Sequence, residues 1–344
     1  MIDIKSMSLE QITELTEQLQ VPKFRAKQIY GWLCKGVTEF GQMNNLPKTL
    51  IELLGENCYI AKAEIQRRLT SQIDGTVKYL FRFNDGEFVE SVVMKYHHGY
   101  TICISTQVGC KMGCTFCATG KSGFSRSLTA SEMIAQIETA QRDLNIRISN
   151  IVLMGMGEPL DNFDNVISFL QLVSSEDGLN IGMRHISLST CGLVDKIYKL
   201  AEYRFGLTLS VSLHAPNDKI RSQTMPVNKK YPVDVLLKAC RDYAATTGRR
   251  ISFEYAMIDG VNDSDACANE LGSKLRGMLC HVNLIPVNNV EGTGYHKSQT
   301  KRLQSFAKVL SKYGITATVR RTLGSDINAS CGQLRRSESK LKEV

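Results

Sequence analysis

The chain has 344 residues, 43% of them apolar and 22% charged, an ordinary globular composition that excludes a disordered or low-complexity protein. Its 42 Lys and Arg against 34 Asp and Glu leave a net charge of +8, which permits a polyanionic partner such as RNA without demanding one. Runs of roughly 18 apolar residues are missing, and residues 1–20 lack the basic start and apolar stretch of a secretion signal, so no membrane association and a cytoplasmic location are expected.

In chain order, residues 8–55 have helical patterning. Ser8 followed by Gln11 has the form of a capping box, and Leu9, Ile12, Leu15 and Leu19 recur at helical spacing. A second helix carries Ile29, Trp32 and Leu33, and a third follows Pro47. Lys23, Arg25, Lys27 and Lys35 suit this module either to RNA contact or to capping the main domain. The period then changes. Tyr79–Phe83 and Phe88–Met94 read as two strands joined by Asn84-Asp85-Gly86, a strong hairpin signal.

From about residue 100, short apolar runs alternate with helical stretches. The strand candidates are 101–106, 150–154, 185–189, 207–213, 251–257 and 281–285; the helices are 130–143, 162–173, 233–247 and 265–276. Repeated βα units imply a parallel sheet. The expected fold class is α/β: a partial (β/α)6 barrel with a small N-terminal helical domain and a C-terminal extension, its active site at the C-terminal ends of the strands. A helix at 298–313 and a strand at 316–320 follow. The expected domains are a helical accessory module (1–57), a β-hairpin extension (58–99), the core barrel (100–296) and a C-terminal helix, strand and loop (297–344).

Eleven cysteines are many for a reducing compartment, and Cys110, Cys114 and Cys117 fall within eight residues after the first barrel strand. Their C-x3-C-x2-C spacing offers three soft thiolates, suited to an iron–sulfur cluster. A four-iron cubane held by three cysteines keeps one iron open for a cofactor or substrate. A zinc site needs a fourth ligand from a further Cys or His pair, and no such pair follows. Cys34, Cys58, Cys191, Cys240, Cys267 and Cys280 lack motif context and read as packing residues.

The C-x3-C-x2-C loop at the end of a first strand resembles the signature of the radical S-adenosylmethionine (SAM) superfamily. Together with Gln107–Gly120, Met154-Gly155-Met156-Gly157-Glu158-Pro159, Ser212–Pro216 and Cys331-Gly332-Gln333-Leu334, it resembles the RlmN/Cfr family of radical SAM rRNA methyltransferases from about residue 20 to 335. The resemblance implies one 4Fe–4S cluster on Cys110, Cys114 and Cys117, with SAM chelating the open iron. It maps the SAM contacts onto Gly157, Glu158, Ser189, Ser212, Leu213, His214 and Asn288, all at strand ends. Further, it implies that Cys331 is methylated by one SAM and that a 5′-deoxyadenosyl radical from a second removes hydrogen from that methyl group. The carbon radical adds to adenine, and Cys103 then pairs with Cys331 to release the product. Glu90 matches the family's proposed proton acceptor; whether Glu90 or Cys103 takes the ring proton stays open.

Glu158-Pro159 and Pro286-Val287-Asn288 resemble the branch that methylates adenine C2 rather than C8. The implied substrates are adenosine 2503 of 23S rRNA and adenosine 37 of tRNA, with a flavodoxin or ferredoxin as electron donor and a monomeric enzyme. Two rival readings are a C8 methyltransferase conferring ribosomal antibiotic resistance and an iron–sulfur electron carrier or redox sensor. The carrier needs neither a SAM pocket nor Cys331.

Overall fold

The computed structural model describes residues 1–287 and 294–329. A two-residue strand β1 (Ile2–Asp3) leads into helices α1 (Leu9–Gln18), α2 (Phe24–Cys34) and α3 (Lys48–Asn57). The Ser8 capping box forms: the Ser8 hydroxyl accepts from the Gln11 amide, and the Gln11 side chain accepts from the Ser8 amide. Ile12, Leu15, Ile29, Leu33, Leu50 and Leu54 close a hydrophobic core separate from the main one. Strand β2 (Cys58–Tyr59) pairs in parallel with β1 and closes the module.

Three strands follow: β3 (Glu64–Thr70), β4 (Val77–Arg82) and β5 (Phe88–Tyr96). The hairpin at Asn84-Asp85-Gly86 is present, with β4 and β5 antiparallel. β5 pairs antiparallel with β6 (Gly99–Cys103), so β3, β4 and β5 continue the barrel sheet outwards. β3 escapes the sequence pattern because it is the sheet edge; nearly all its residues are exposed and show no two-residue alternation.

The chain then makes a short antiparallel pair, β7 (Gln107–Gly109) and β8 (Phe124–Ser127), enclosing the single-turn helix α4 (Ala118–Lys121). The expected 101–106 strand therefore ends at Cys103, and its last residues turn towards the cysteine loop. Helix α5 (Ala130–Leu144), strand β9 (Ile148–Leu153), helix α6 (Phe163–Ser174), strand β10 (Ile186–Thr190) and helix α7 (Val194–Glu202) come next. After them lie β11 (Thr208–Ser212), α8 (Asp218–Thr224), α9 (Val233–Thr247), β12 (Ile251–Met257), α10 (Asp265–Leu275), β13 (Cys280–Pro286), α11 (Thr300–Lys312) and β14 (Ala317–Val319). Helices α7 and α8 are additions to the sequence reading.

Strands β6 and β9 to β13 run parallel in spatial order, the six-unit partial barrel, and β14 adds a further parallel strand at the open edge. Among the described residues the mixed sheet holds ten strands. Leu188, Leu209, Val211, Phe253 and Tyr255 are fully buried in its core, packed against the surrounding helices. Among the described residues, no helix is long and apolar enough to cross a membrane.

The N-terminal module is fastened to α5. Lys5 forms an ion pair with Glu138 at 2.5 Å, both side chains under 10% exposed, and Ser131 donates to Asp3 at 2.6 Å. Removing one partner of a buried pair strands the other charge. Lys5→Met is therefore expected to destabilise the protein by about 2–4 kcal/mol, read from its urea unfolding midpoint, and a second change of Glu138→Leu to recover most of the loss. Equal midpoints for Lys5→Met and the unaltered protein would show that the pair does not anchor the module.

Candidate functional site

The C-terminal ends of the parallel strands surround a cavity of about 280 Å³. Cys110, Cys114 and Cys117 line it from the loop between β7 and β8, together with Phe116. That loop is fixed by backbone bonds: the Cys110 amide donates to Gly123, the Thr115 amide to Thr224 beyond it, and the Cys117 amide to Cys114. The opposite rim carries Gly157, Glu158, Ser189, Ser212 and His214.

Gly155 and Gly157 explain the glycines of the Gly155–Glu158 turn. The Gly155 amide donates to the Ile104 carbonyl at 3.0 Å, and a Cβ at Gly155 would sit 2.6 Å from that oxygen. Gly157 has φ +99°, and a Cβ there would lie 2.5 Å from Gln107. Two backbone segments, Ile104–Gln107 and Gly155–Glu158, thus run in contact. Ser105 joins them: its hydroxyl accepts from the Met156 amide and donates to the Glu90 carbonyl. Gln107 accepts from the Glu158 amide through its side chain.

Glu158 is buried, and its carboxylate accepts the amides of Leu160 (3.0 Å) and Cys191 (2.7 Å). Burial pushes its pKa up, and those two amides oppose the shift. His214 has a left-handed backbone, φ +55°, and its Nδ1 accepts from the Ala256 amide at 2.9 Å, which leaves the ring proton on Nε2. Burial, with the Arg221 charge second, lowers its pKa to about 3, so the imidazole is neutral at physiological pH. The Phe116 ring meets it edge-on at 4.9 Å.

Leu213 is placed differently from the other expected SAM contacts. Its side chain is fully buried in the core, and its carbonyl accepts from Arg221. Asn288 lies outside the described residues.

Three residues of the site escape sequence reasoning. Cys191, read as a packing residue, lines the cavity and donates its amide to Glu158. Arg221 is fully buried; its guanidinium donates to the carbonyls of Cys191, Ser212, Leu213 and Tyr231 and to the Asn228 side chain, pinning the β10 and β11 ends together. Glu254 also lines the cavity and accepts from Ser252 and Asn283. A carboxylate inside a fully buried central strand is a readable signal; Arg221 offers none, because its role depends on four carbonyls from three separate places in the chain.

A second, smaller cavity of about 80 Å³ lies behind the first, lined by Glu90, Val92, Met94, Cys103 and Ala329. Met154, Gly155 and Arg320 line both. Strand register explains the second cavity: Lys78 stands opposite Val92, and Val92 opposite Cys103, on one face of β4, β5 and β6. Glu90 shares that face two residues along. It is buried and pairs with Lys78 at 3.3 Å, not exposed as a solvent-facing strand carboxylate would be. Burial pushes the Cys103 thiol up to about 11, with the Arg320 charge pulling the other way. Cys331 lies outside the described residues.

A match to the Radical SAM superfamily covers residues 104–268, and one to the ribosomal RNA large subunit methyltransferase N-terminal domain covers residues 2–60. The fold superposes on a radical SAM methyltransferase from Sphaerobacter thermophilus with a TM-score of 0.91, at 43% identity, over 97% of this chain and 99% of that one. Fold and site define a radical SAM enzyme. The chain is 57% identical over 335 residues to a probable dual-specificity RNA methyltransferase RlmN of Alkaliphilus oremlandii, covering 97% of this chain and 98% of the relative. It is 52% identical over 336 residues to its counterpart in Clostridium tetani, covering 98% and 96%. The chain belongs to the RlmN family of radical SAM methyltransferases.

That family implies SAM and an iron–sulfur cluster, and the donor set fits them. Burial pushes the Cys110 thiol up to about 12; burial and the neighbouring Cys117 and Cys110 charges push Cys114 above the ordinary thiol range. As thiolates the three side chains would need a cationic centre to share, which irons supply. Among the described residues, no three Cys, His, Asp or Glu side chains are grouped to hold a single metal ion. The three thiols instead line a cavity.

Cys114→Ala is expected to lose most bound iron after anaerobic reconstitution; an unchanged iron content would remove it from the ligand set. Gly155→Ala must push the turn off Ile104. It is expected to weaken SAM binding by about tenfold or more, roughly 1.4 kcal/mol, with iron content retained, as read by calorimetry and iron assay.

Proposed function

We propose that this protein methylates C2 of adenosine in RNA, at adenosine 2503 of 23S rRNA and adenosine 37 of tRNA, with Cys331 as methyl carrier. The observation that carries the reading is the shared wall of the two cavities: Met154, Gly155 and Arg320 separate the three thiols from Glu90 and Cys103. When bound, a 4Fe–4S cluster and two SAM molecules supply a methyl group and a carbon-centred radical.

The residues divide the remaining work. Cys110, Cys114 and Cys117 hold the cluster. Gly157, Glu158, Ser189, Ser212 and His214 orient SAM, and the neutral His214 does so without adding a like charge beside its sulfonium. Leu213 and Asn288 are the two further SAM contacts that the family implies. Cys331, as thiolate, accepts the methyl group on sulfur. Adenine C2 is electron-poor, so a carbon radical on that methyl group suits it better than a methyl cation does. Glu90 or Cys103, side by side in the second cavity, is the proton acceptor for the ring hydrogen. Cys103 forms a disulfide with Cys331 as the carbon–sulfur bond breaks; the methylene carbon keeps that bond's electron pair and takes a solvent proton to become the methyl group, the adduct's unpaired electron is given back to the electron-transfer chain that supplied it, and cytosolic thiols then reduce the disulfide. RNA is the polyanionic partner, and a flavodoxin or ferredoxin delivers the electron to a monomeric, cytoplasmic enzyme.

The experiment is anaerobic reaction with SAM bearing a CD3 group and an rRNA fragment, followed by mass mapping of the base. The expected product is 2-methyladenine whose methyl group carries two deuterium atoms, because one is removed as the radical forms. Three deuterium atoms would mean that the methyl group moves intact, and a label at C8 would assign the other branch. Cys331→Ala is expected to abolish methylation while iron content and SAM binding persist. Full activity in that variant would end the methyl-carrier role.

A further inference from the structure

Lys78 is an unusual lysine. Its side chain is fully buried in β4, where an ammonium is unfavourable unless closely compensated. Part of the compensation is the Glu90 carboxylate at 3.3 Å. Its shorter bond runs elsewhere: Nζ donates to the backbone carbonyl of Asn328 at 2.6 Å, 250 residues further along the chain. An ammonium carries three N–H donors, and one of them ties β4 to the chain at Asn328.

Asn328 belongs to a segment seated on the turn between β3 and β4. Asp326 accepts from the Ser71 hydroxyl at 2.7 Å and from the Gln72 amide at 2.9 Å, and the Gly324 amide donates to Asp74 at 2.8 Å. Within the segment a single helical turn, Ser325–Ile327, is bounded by Gly324 (φ +61°) and Asn328 (φ +46°), both left-handed. Ala329, the next residue, lines the cavity of Glu90 and Cys103. Cys331 is the third residue after Asn328, a reach of at most about 11 Å between Cα atoms.

We propose that Lys78 is a positioning residue: its buried ammonium holds the Glu90 carboxylate and the Asn328 carbonyl together, fixing the stretch of chain that leads to Cys331 at the cavity of Glu90 and Cys103. The inference rests on the function proposed above, in which Cys331 carries the methyl group to the base. A carrier on a short tether must meet SAM on one side of the shared wall and adenine on the other. A pivot fixed to a buried cation keeps both within reach and brings the acceptor of the ring proton to the same place.

The test uses the full chain, reconstituted anaerobically, with Lys78→Met, Lys78→Arg and Asp326→Ala. Hydrogen exchange of the peptide spanning residues 324–331 reads the tether, and the ratio of methylated RNA to 5′-deoxyadenosine reads the positioning. Lys78→Met is expected to speed exchange about tenfold and to lower kcat for RNA methylation about tenfold or more. KM for RNA is expected to change little and 5′-deoxyadenosine release to continue, so the ratio collapses. Lys78→Arg is expected to restore part of it.

Unchanged exchange in Lys78→Met overturns the proposal, and so does faster exchange with an unchanged product ratio, which would make Lys78 structural only. Should Lys78→Met fail to fold, Asp326→Ala, changed at an exposed position, loosens the same segment; an unchanged ratio there despite faster exchange also overturns it. The methyl-carrier reading fails separately, through an active Cys331→Ala, while the exchange comparison stands by itself.

Discussion

Two stretches of backbone, Ile104–Gln107 and Gly155–Glu158, run so close that no side chain fits between them at Gly155 or Gly157. Ser105 stitches the contact from the middle and is itself held by Gln136, whose side chain meets both the Ser105 amide and its carbonyl. One end of the seam starts the cysteine loop through Gln107; the other presents Glu158 to the cavity. Its back face, through the Ser105–Glu90 bond, fixes the strand that carries the buried carboxylate. Cluster loop, SAM rim and second cavity are therefore placed by the same few hydrogen bonds, all shielded from water and correspondingly firm.

The charges follow a consistent logic. Glu158 and Glu254 are buried on the cavity wall, each satisfied by hydrogen bonds, while His214 is kept neutral. Arg221 brings a buried positive charge whose donors are directed at carbonyls, so it braces the rim rather than cancelling a single carboxylate. On the other side of the wall, Lys78 and Glu90 form a buried pair beside Cys103. Buried ionic groups are weak sources of stability. Their concentration around these two cavities fits a site organised for chemistry.

The antiparallel strands β3 to β5 acquire a purpose in this arrangement. Because they extend the barrel sheet, they carry Lys78 and Glu90 to the row of Cys103, and the β3–β4 turn receives the segment that leads to Cys331. The N-terminal helices keep their own core and meet the barrel through the Lys5–Glu138 pair and the Asp3–Ser131 bond.

Local pattern determined much of this protein. The capping box at Ser8, the hairpin at Asn84–Gly86, the alternation of βα units and the spacing of Cys110, Cys114 and Cys117 all depend on residues near one another in the chain, and β12 and α9 begin and end where periodicity places them. Ser189, Ser212 and His214 came from the family resemblance rather than from local pattern, and they line the cavity. Only the tertiary structure decided that Cys191 faces the cavity, that the Leu213 side chain turns into the core, that Arg221 braces the rim and that Lys78 joins Glu90 to Asn328. Each of those facts depends on register between strands or on carbonyls brought together from distant segments. No run of sequence encodes such contacts until the sheet has formed.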